Sequence, residues 1–332
     1  MSRVRPVSTV GCWSSVAAKP ALWLCLSTGL ALLCPVLGAA AEVTITRNDQ
    51  GAVIKIGDQL FAEYLTHSGT KPVVWPLLGP GQIALTRSYP LDPNVSGEAH
   101  DHVHQRSLWF TYGNVNGVDF WTEVPSEKVG TIAHREFVEV KSGQPGVIVT
   151  KNDWLGLDGQ PMLADQRTLQ FAGDDEARRI DFDIVLKASY GPVTFGDTKE
   201  GAFGVRVAHA LAVDSKQGGH ITNSEGKTDK AAWSARAAWV DYHGSLDGQP
   251  MGIAIMSHPS SFAYPPRWHV REYGLFAANP FGSKDFGGPE IDGVKLAAGE
   301  EITLRYRVLL HRGDEQSANL DAAFKKYSGE SP

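Results

Sequence analysis

Arg179-Ile180-Asp181-Phe182-Asp183-Ile184-Val185-Leu186 alternates polar and apolar side chains almost without a break. An extended chain points successive side chains to opposite faces, so this order sorts itself into one apolar and one wet face. The stretch reads as a strand lying on a core, in the manner of an antiparallel sheet. Similar alternating or β-branched runs recur toward the N-terminus at Arg167–Phe171, Gly146–Thr150, Thr131–Val140, Leu60–Tyr64, Ala52–Ile56 and Val43–Thr46. Toward the C-terminus they recur at Phe203–Val207, Ala237–Tyr242, Gly252–Met256 and Ile302–Leu310. Asn48-Asp49-Gln50-Gly51 and Gly57-Asp58 supply turn residues between the first three runs, which predicts hairpins. Gly218–Lys230 is polar and reads as an exposed loop, and Thr70–Pro93, rich in proline and glycine, as a long ordered one. Leu320, Ala323, Phe324 and Tyr327 have helical spacing, so Asn319–Tyr327 predicts one short terminal helix. With no internal repeat or low-complexity linker, the expected fold is all-β: a large antiparallel β-sandwich over residues 42–332 as one domain, closed by that helix.

Residues 1–41 are expected to be a signal peptide. Arg3, Arg5 and Lys19 precede an apolar run from Ala21 to Leu37, and Gly38-Ala39-Ala40-Ala41 offers small residues for cleavage after Ala40 or Ala41. An uncleaved anchor is the alternative, since the run is near the lower limit of about 17 residues for a membrane span. Cleavage would make the chain periplasmic or secreted, with no membrane association. Cys12, Cys25 and Cys34 all lie in this leader, so the remainder has no disulfide, cysteine nucleophile or thiolate ligand. Without the leader, 28 basic residues stand against 37 acidic ones, a net charge of −9 with neutral histidines. That balance, with no basic stripe, excludes nucleic acid as an expected partner.

The chemistry-bearing stretch is His100–Trp121, HDHVHQRSLWFTYGNVNGVDFW. If it is extended, His102, His104 and Arg106 project from one face beside Leu108, Trp109 and Phe110, as the floor of a pocket would. Asp197-Thr198-Lys199-Glu200, Ser257-His258-Pro259-Ser260, Arg267-Trp268-His269 and Asn279-Pro280-Phe281 also combine ionisable groups with turn or aromatic residues. Aromatic faces stack on sugar rings while charged and polar groups bond the hydroxyls, so these residues suit a small carbohydrate or oligosaccharide.

The expected proton-transfer groups are His104 and Glu200, with His258 and His269 as further candidates. His102, Arg106, Lys199, Arg267 and Asn279 would bind substrate oxygens, and Trp109 and Trp268 would stack on the ring. No cofactor is required by this scheme. The alternative is a divalent metal held by His102 and His104 with Glu200 or another histidine. A bland reading of each remains open. Arg106 pairs with a carboxylate such as Asp101 or Asp119, and Glu200 is a solvated turn acid. His67, His134, His209, His220, His243 and His311 read as structural, and Trp154, Trp233 and Trp239 as core.

The ordered segments DHVHQRSLWF, NVNGVDFW, GDTKEGAFGVRVA, RAAWVDYHG and GIAIMSHPSSFAYPPRWHVREYGLFAANPFG resemble the PmoA-like family of secreted bacterial proteins of unknown function, over nearly all the chain after the leader. That family's histidine motif reads Asp-His-Pro-His-His-Arg. Here Val103 and Gln105 replace the proline and the second adjacent histidine, while His102, His104 and Arg106 match. The label implies a methane oxygenase subunit, an enzyme embedded by several helices, and no stretch after the leader is long and apolar enough for one. The resemblance instead implies a β-rich secreted domain similar to the galactose-mutarotase-like supersandwich, whose members bind, epimerise or cleave carbohydrates. The sequence therefore predicts an exported carbohydrate-active protein working at or near an anomeric centre by His/Glu acid–base chemistry. A non-catalytic carbohydrate-binding domain and a metal-dependent hydrolase or lyase are the alternatives.

Overall fold

The structure, a computed structural model, describes residues 11, 13–15 and 42–330. Apart from residues 11 and 13–15, the expected leader lies outside the described residues. In chain order the strands are β1 (Val43–Asn48), β2 (Gly51–Ile56), β3 (Gln59–Ser68), β4 (Lys71–Leu77), β5 (Leu108–Tyr112), β6 (Thr131–Lys141), β7 (Gly146–Leu155), β8 (Pro161–Gly173) and β9 (Ala177–Lys187). They continue with β10 (Val193–Phe195), β11 (Gly201–Arg206), β12 (His220–Asn223), β13 (Trp239–Leu246), β14 (Gln249–Ser257), β15 (Arg267–Arg271), β16 (Leu275–Asn279), β17 (Val294–Leu296) and β18 (Glu301–Arg312). One α-helix, α1 (Leu320–Ser328), follows, its first turn capped by the Asn319 side chain.

Two eight-stranded sheets form a sandwich. Sheet one runs β1-β2-β3-β4-β5-β11-β16-β15 and sheet two runs β12-β13-β14-β18-β9-β8-β7-β6, every pairing antiparallel. The fold is therefore the expected all-β sandwich with a short C-terminal helix. β9 keeps the period read from its sequence, with Ile180, Phe182, Ile184 and Leu186 buried and the residues between them half-buried. Its inner face meets sheet one: Phe182 packs edge-on to Phe203, and Phe203 stacks on Tyr306 at 4.5 Å. Phe61 on Phe171 and Phe110 on Trp154 extend the same core. α1 closes the outer face of sheet two through Leu320 and Tyr327 against Trp239 and Met256.

Three sequence expectations change. Thr70–Pro93 is not all loop, because Lys71–Leu77 forms β4 even though it contains Pro72 and Pro76. Gly218–Lys230 contains β12, which pairs with β13. The histidine stretch is not a strand until Leu108. His102 and Ser107 both have left-handed backbone (φ 43° and 53°), so His102, His104 and Arg106 lie in a turn and do not share a strand face.

Sheet one is also buried on its outer face. A straight cross-strand row runs Val73, Trp109, Gly204, Ala277, His269 over β4, β5, β11, β16 and β15. Gly204 and Ala277 leave the room that the Trp109 indole occupies, and Trp121 covers it with ring centres 5.3 Å apart. A Cβ on Gly204 would come within 2.9 Å of that indole. Gly204→Val is expected to overpack this layer and cost about 1–3 kcal/mol. Equilibrium urea denaturation measures it, and a variant as stable as the parent would show that the indole has free room to move.

Candidate functional site

Four segments meet on the outer face of sheet one, near its β15 edge, around a cavity of about 260 Å³. The loop before β5 supplies His102, His104 and Gln105, and the segment after β5 supplies Trp121 and Thr122. The turn before β11 supplies Lys199 and Glu200. β15 and the turn after it supply His269, Arg271 and Tyr273.

Each element is fixed by a recognisable device. The buried Arg87 guanidinium binds the carbonyls of Ala99, His102 and Gln105 at 3.0–3.2 Å, which forces the histidine loop into a compact turn. Arg87 and Arg206 both donate to Asp101 Oδ1, while Asp101 Oδ2 lies 2.9 Å from His102 Nδ1. A carboxylate held by two guanidiniums thus orients the His102 ring, and Tyr273 stacks on it at 4.9 Å. Gln105, at the motif position where the resembled family has a histidine, accepts from Arg206 and donates to the Tyr273 hydroxyl. Its side chain ties the loop to the β15–β16 turn.

The Asp197–Glu200 turn is anchored from below. Asn279 Nδ2 and the Tyr112 hydroxyl donate to the Thr198 carbonyl, and Asp285 accepts from the Lys199 amide. Glu200 and Lys199 pair at 3.0 Å on the cavity wall. His269 Nδ1 lies 3.0 Å from the Lys199 carbonyl, so Nδ1 carries the proton and Nε2 is left as an acceptor. Trp121 lies nearly parallel to His269, and Trp233 meets that ring edge-on.

Burial pushes His104 down to about 3, with Lys71 and His102 adding to the effect. Burial likewise pushes His269 down to about 3, helped by Arg271. Both rings are neutral across the physiological range. Beneath His104 lies a closed ion cluster: the buried Lys71 is 2.6 Å from Glu123, which also takes a two-pronged grip from Arg106 at 2.7 and 2.9 Å. Burial lowers Lys71 to about 8 against the pull of Glu123. For Glu123 burial acts upward, but Arg106 and Lys71 outweigh it and hold the carboxyl below its ordinary range.

The structure thus brings His102, His104, Lys199, Glu200 and His269 to one cavity. It does not bring the other candidates there. Arg106 is committed to Glu123, a partner other than the two weighed for it. Trp109 and Trp268 are buried in the packing and offer no open ring face; the Trp268 indole donates to the Ala237 carbonyl. Arg267 binds the Ser234 carbonyl, and Asn279 spends its oxygen on the amides of Phe281 and Gly282. His258 lines a different cavity beside Asp181, Asp183 and Tyr327, on the sheet-two side. Nor do His102 and His104 belong to a three-donor metal group. Among the described residues the group whose ligand atoms converge within 4.8 Å is Asp241, His243 and Glu315.

Sequence reading missed Asp101 as the His102 partner, along with Gln105, Trp121, Thr122, Arg271 and Tyr273. One signal was available: Arg267, His269 and Arg271 follow one another at every second residue, so a strand there puts all three on one face.

Residues 51–325 match the model of a family of unknown function, DUF6807. No curated protein matches the chain. Solved structures similar to it include the galactosidase domain of the α-galactosidase-sucrose kinase AgaSK, at 9% identity and TM-score 0.42 over 81% of this chain and 42% of that one. A Glycoside Hydrolase Family 97 enzyme from Pseudoalteromonas sp. strain K8, in complex with acarbose, gives 10%, 0.33, 82% and 35% in the same order. A galactose mutarotase-like protein from Lactobacillus casei ATCC 334 gives 10%, 0.34, 81% and 100%. The chain spans about two fifths of the first of these and about a third of the second. At such scores the chemistry has to be argued from the site itself.

Neutral buried histidines carry a sign-definite consequence. In the folded protein His104 and His269 take up a proton only near pH 3, while in the unfolded chain they do so at about 6.5. The unfolded state binds more protons between those values, so stability falls as pH drops from about 6.5 toward 3. His269→Gln is expected to flatten that fall, read as a smaller loss of urea midpoint between neutral pH and about pH 5. An undiminished loss, or a protonated His269 ring by nitrogen NMR at that pH, would contradict the assignment.

Proposed function

The chain belongs to the DUF6807 family, whose function is unknown, and we propose that it is an exported carbohydrate-active enzyme that moves protons at the anomeric centre of a small sugar or glycoside. One observation carries this reading: a carboxylate, a carboxylate-oriented imidazole and two neutral imidazoles converge on one cavity walled by Trp121 and Tyr273. At about 260 Å³ the cavity suits a single sugar ring better than a drug-sized ligand. Aromatic walls accept the C–H faces of such a ring, and the polar groups between them accept or donate to its hydroxyls.

The division of labour follows from the environments. A general base or acid works best with a pKa near the operating pH. His104 and His269, held near 3, are poor proton carriers and better hydrogen-bond partners for hydroxyls. Proton transfer is assigned to Glu200 on the cavity wall and to His102, whose ring the Asp101 carboxylate orients. Glu200 takes the anomeric O–H proton as the bond from C1 to the ring oxygen breaks, and protonated His102 gives a proton to that oxygen. A carbonyl forms at C1. Rotation about C1–C2 and return of both protons close the ring as the other anomer. Lys199 holds Glu200 in place, and export places the site where free sugars and glycosides are met.

Proton NMR of a panel of reducing sugars, following magnetisation exchange between α and β anomeric signals, tests this reading. Glu200→Gln and His102→Ala are each expected to slow the exchange by about 10²–10⁴-fold with binding retained. New anomeric peaks would move the activity to bond cleavage. Broadening without conversion would make the cavity that of a non-catalytic binding domain.

A further inference from the structure

A second cluster of ionisable groups lies on sheet two, and none of its members lines the cavity described above. Asp241 and His243, two apart on β13, share one face of the sheet. A cross-strand row runs His220, His243, Gly252, His311 over β12, β13, β14 and β18. Gly252 is what lets the row close up, since a Cβ there would sit 2.3 Å from the His311 ring. The His311 ring lies across that gap and reaches Asp241 Oδ1 with Nε2 at 3.0 Å, while its Nδ1 faces the Arg312 carbonyl at 3.1 Å. Both ring nitrogens face acceptors, an arrangement that favours the charged ring, and His311 holds one oxygen of the fully buried Asp241.

The other Asp241 oxygen is free for a second partner. Oδ2 lies 2.9 Å from His243 Nδ1, and Glu315 Oε2 approaches the same nitrogen at 3.5 Å. His243 Nδ1 thus sits between two carboxylate oxygens. Metal–ligand bonds of about 2.0–2.2 Å in a tetrahedron separate neighbouring donors by about 3.3 Å, between those two distances. His243 also borders a cavity of about 470 Å³ with Gly244, Gly313, Asp314 and Ser317, so solvent reaches the group. His220, exposed and in register opposite His243, stands nearby with ring centres 5.9 Å apart.

We propose that Asp241, His243 and Glu315 form a divalent transition-metal site of Zn²⁺ type, with His311 fixing the Asp241 carboxylate and a further coordination position turned to the cavity. One imidazole and two carboxylates match the donors that Zn²⁺ takes. The ion takes the place between the His243 ring nitrogen and the two carboxylate oxygens, with the ring hydrogen left on Nε2. Asp314 and His220 are the other titratable groups around His243, and His311 faces it across Asp241.

Isothermal titration of the full chain with Zn²⁺ tests the site. One ion per chain is expected, and Co²⁺ substitution should give visible bands of a four- or five-coordinate ion. Glu315→Gln, at a partly exposed position, is expected to weaken Zn²⁺ affinity by about tenfold to a hundredfold, as is His243→Ala. His104→Ala, in the other cavity, is expected to leave it unchanged. Absence of saturable binding by the unmodified chain at millimolar Zn²⁺ would overturn the proposal without reliance on any variant. So would binding that survives Glu315→Gln and His243→Ala but is lost in His104→Ala.

Discussion

Sheet one has to be covered on both faces, and most of what is distinctive about this protein follows from that constraint. Every residue of β5, β11 and β16 is buried. The inner face is covered by sheet two, and among the described residues no helix or sheet covers the outer face. The segments before and after β5 do so instead, and a covering loop brings backbone carbonyls into a place without water, where they cost free energy unless paired. Arg87 pairs three of them, and Arg206 enters the same region through Gln105 and Asp101. The histidines are carried in on the loop that these guanidiniums hold down.

The same solution sets the electrostatics of the cavity. Arg87, Arg206, Arg106 and Lys71 place positive charge beside His102 and His104, and Asp101 and Glu123 offset only part of it. A buried imidazole surrounded by cations gives up its proton. Burial first, then Lys71 and His102, keep His104 neutral, and burial with Arg271 does the same for His269, while His102 is half out of the packing with a carboxylate at its Nδ1. Three histidines within one cavity therefore have unlike surroundings, which their spacing in the sequence could not distinguish.

How far the sequence was legible follows from the same burial. β9 announces itself because one of its faces is more open than the other, and β1 and β8 are readable for the same reason. The period-two signal fails for strands buried on both sides. β5 reads as part of the chemistry-bearing stretch, β16 does not stand out as a strand, and β15 reads as a cluster of chemistry and not as a strand. The turn at His102 was invisible too, because its cause is Arg87, fifteen residues upstream. Tryptophans misled in a related way. Trp268 stands between Arg267 and His269 and Trp109 three residues after Arg106, but alternation sends Trp268 to the opposite face from His269, and the Gly204–Ala277 gap takes up Trp109 beneath Trp121. The ring that does line the cavity, Trp121, comes from the segment beyond β5.

The two histidine clusters show how one residue type is steered to opposite chemistry by its neighbours. On sheet one, cations crowd His104 and burial strips it of charge. On sheet two burial acts in the same direction on His243 and His311, but Asp241 is close enough to both to overcome it, and both rings are held above the ordinary range. Asp241 in turn needs them, since a fully buried carboxylate without a cation would give up its charge. Neutral imidazoles accept and donate hydrogen bonds to uncharged hydroxyls, as a sugar site requires. Imidazoles held by carboxylates mark instead a place where positive charge is wanted. The sandwich keeps these two environments on different sheets, each facing away from the shared core, so neither one's charge has to be reconciled with the other's.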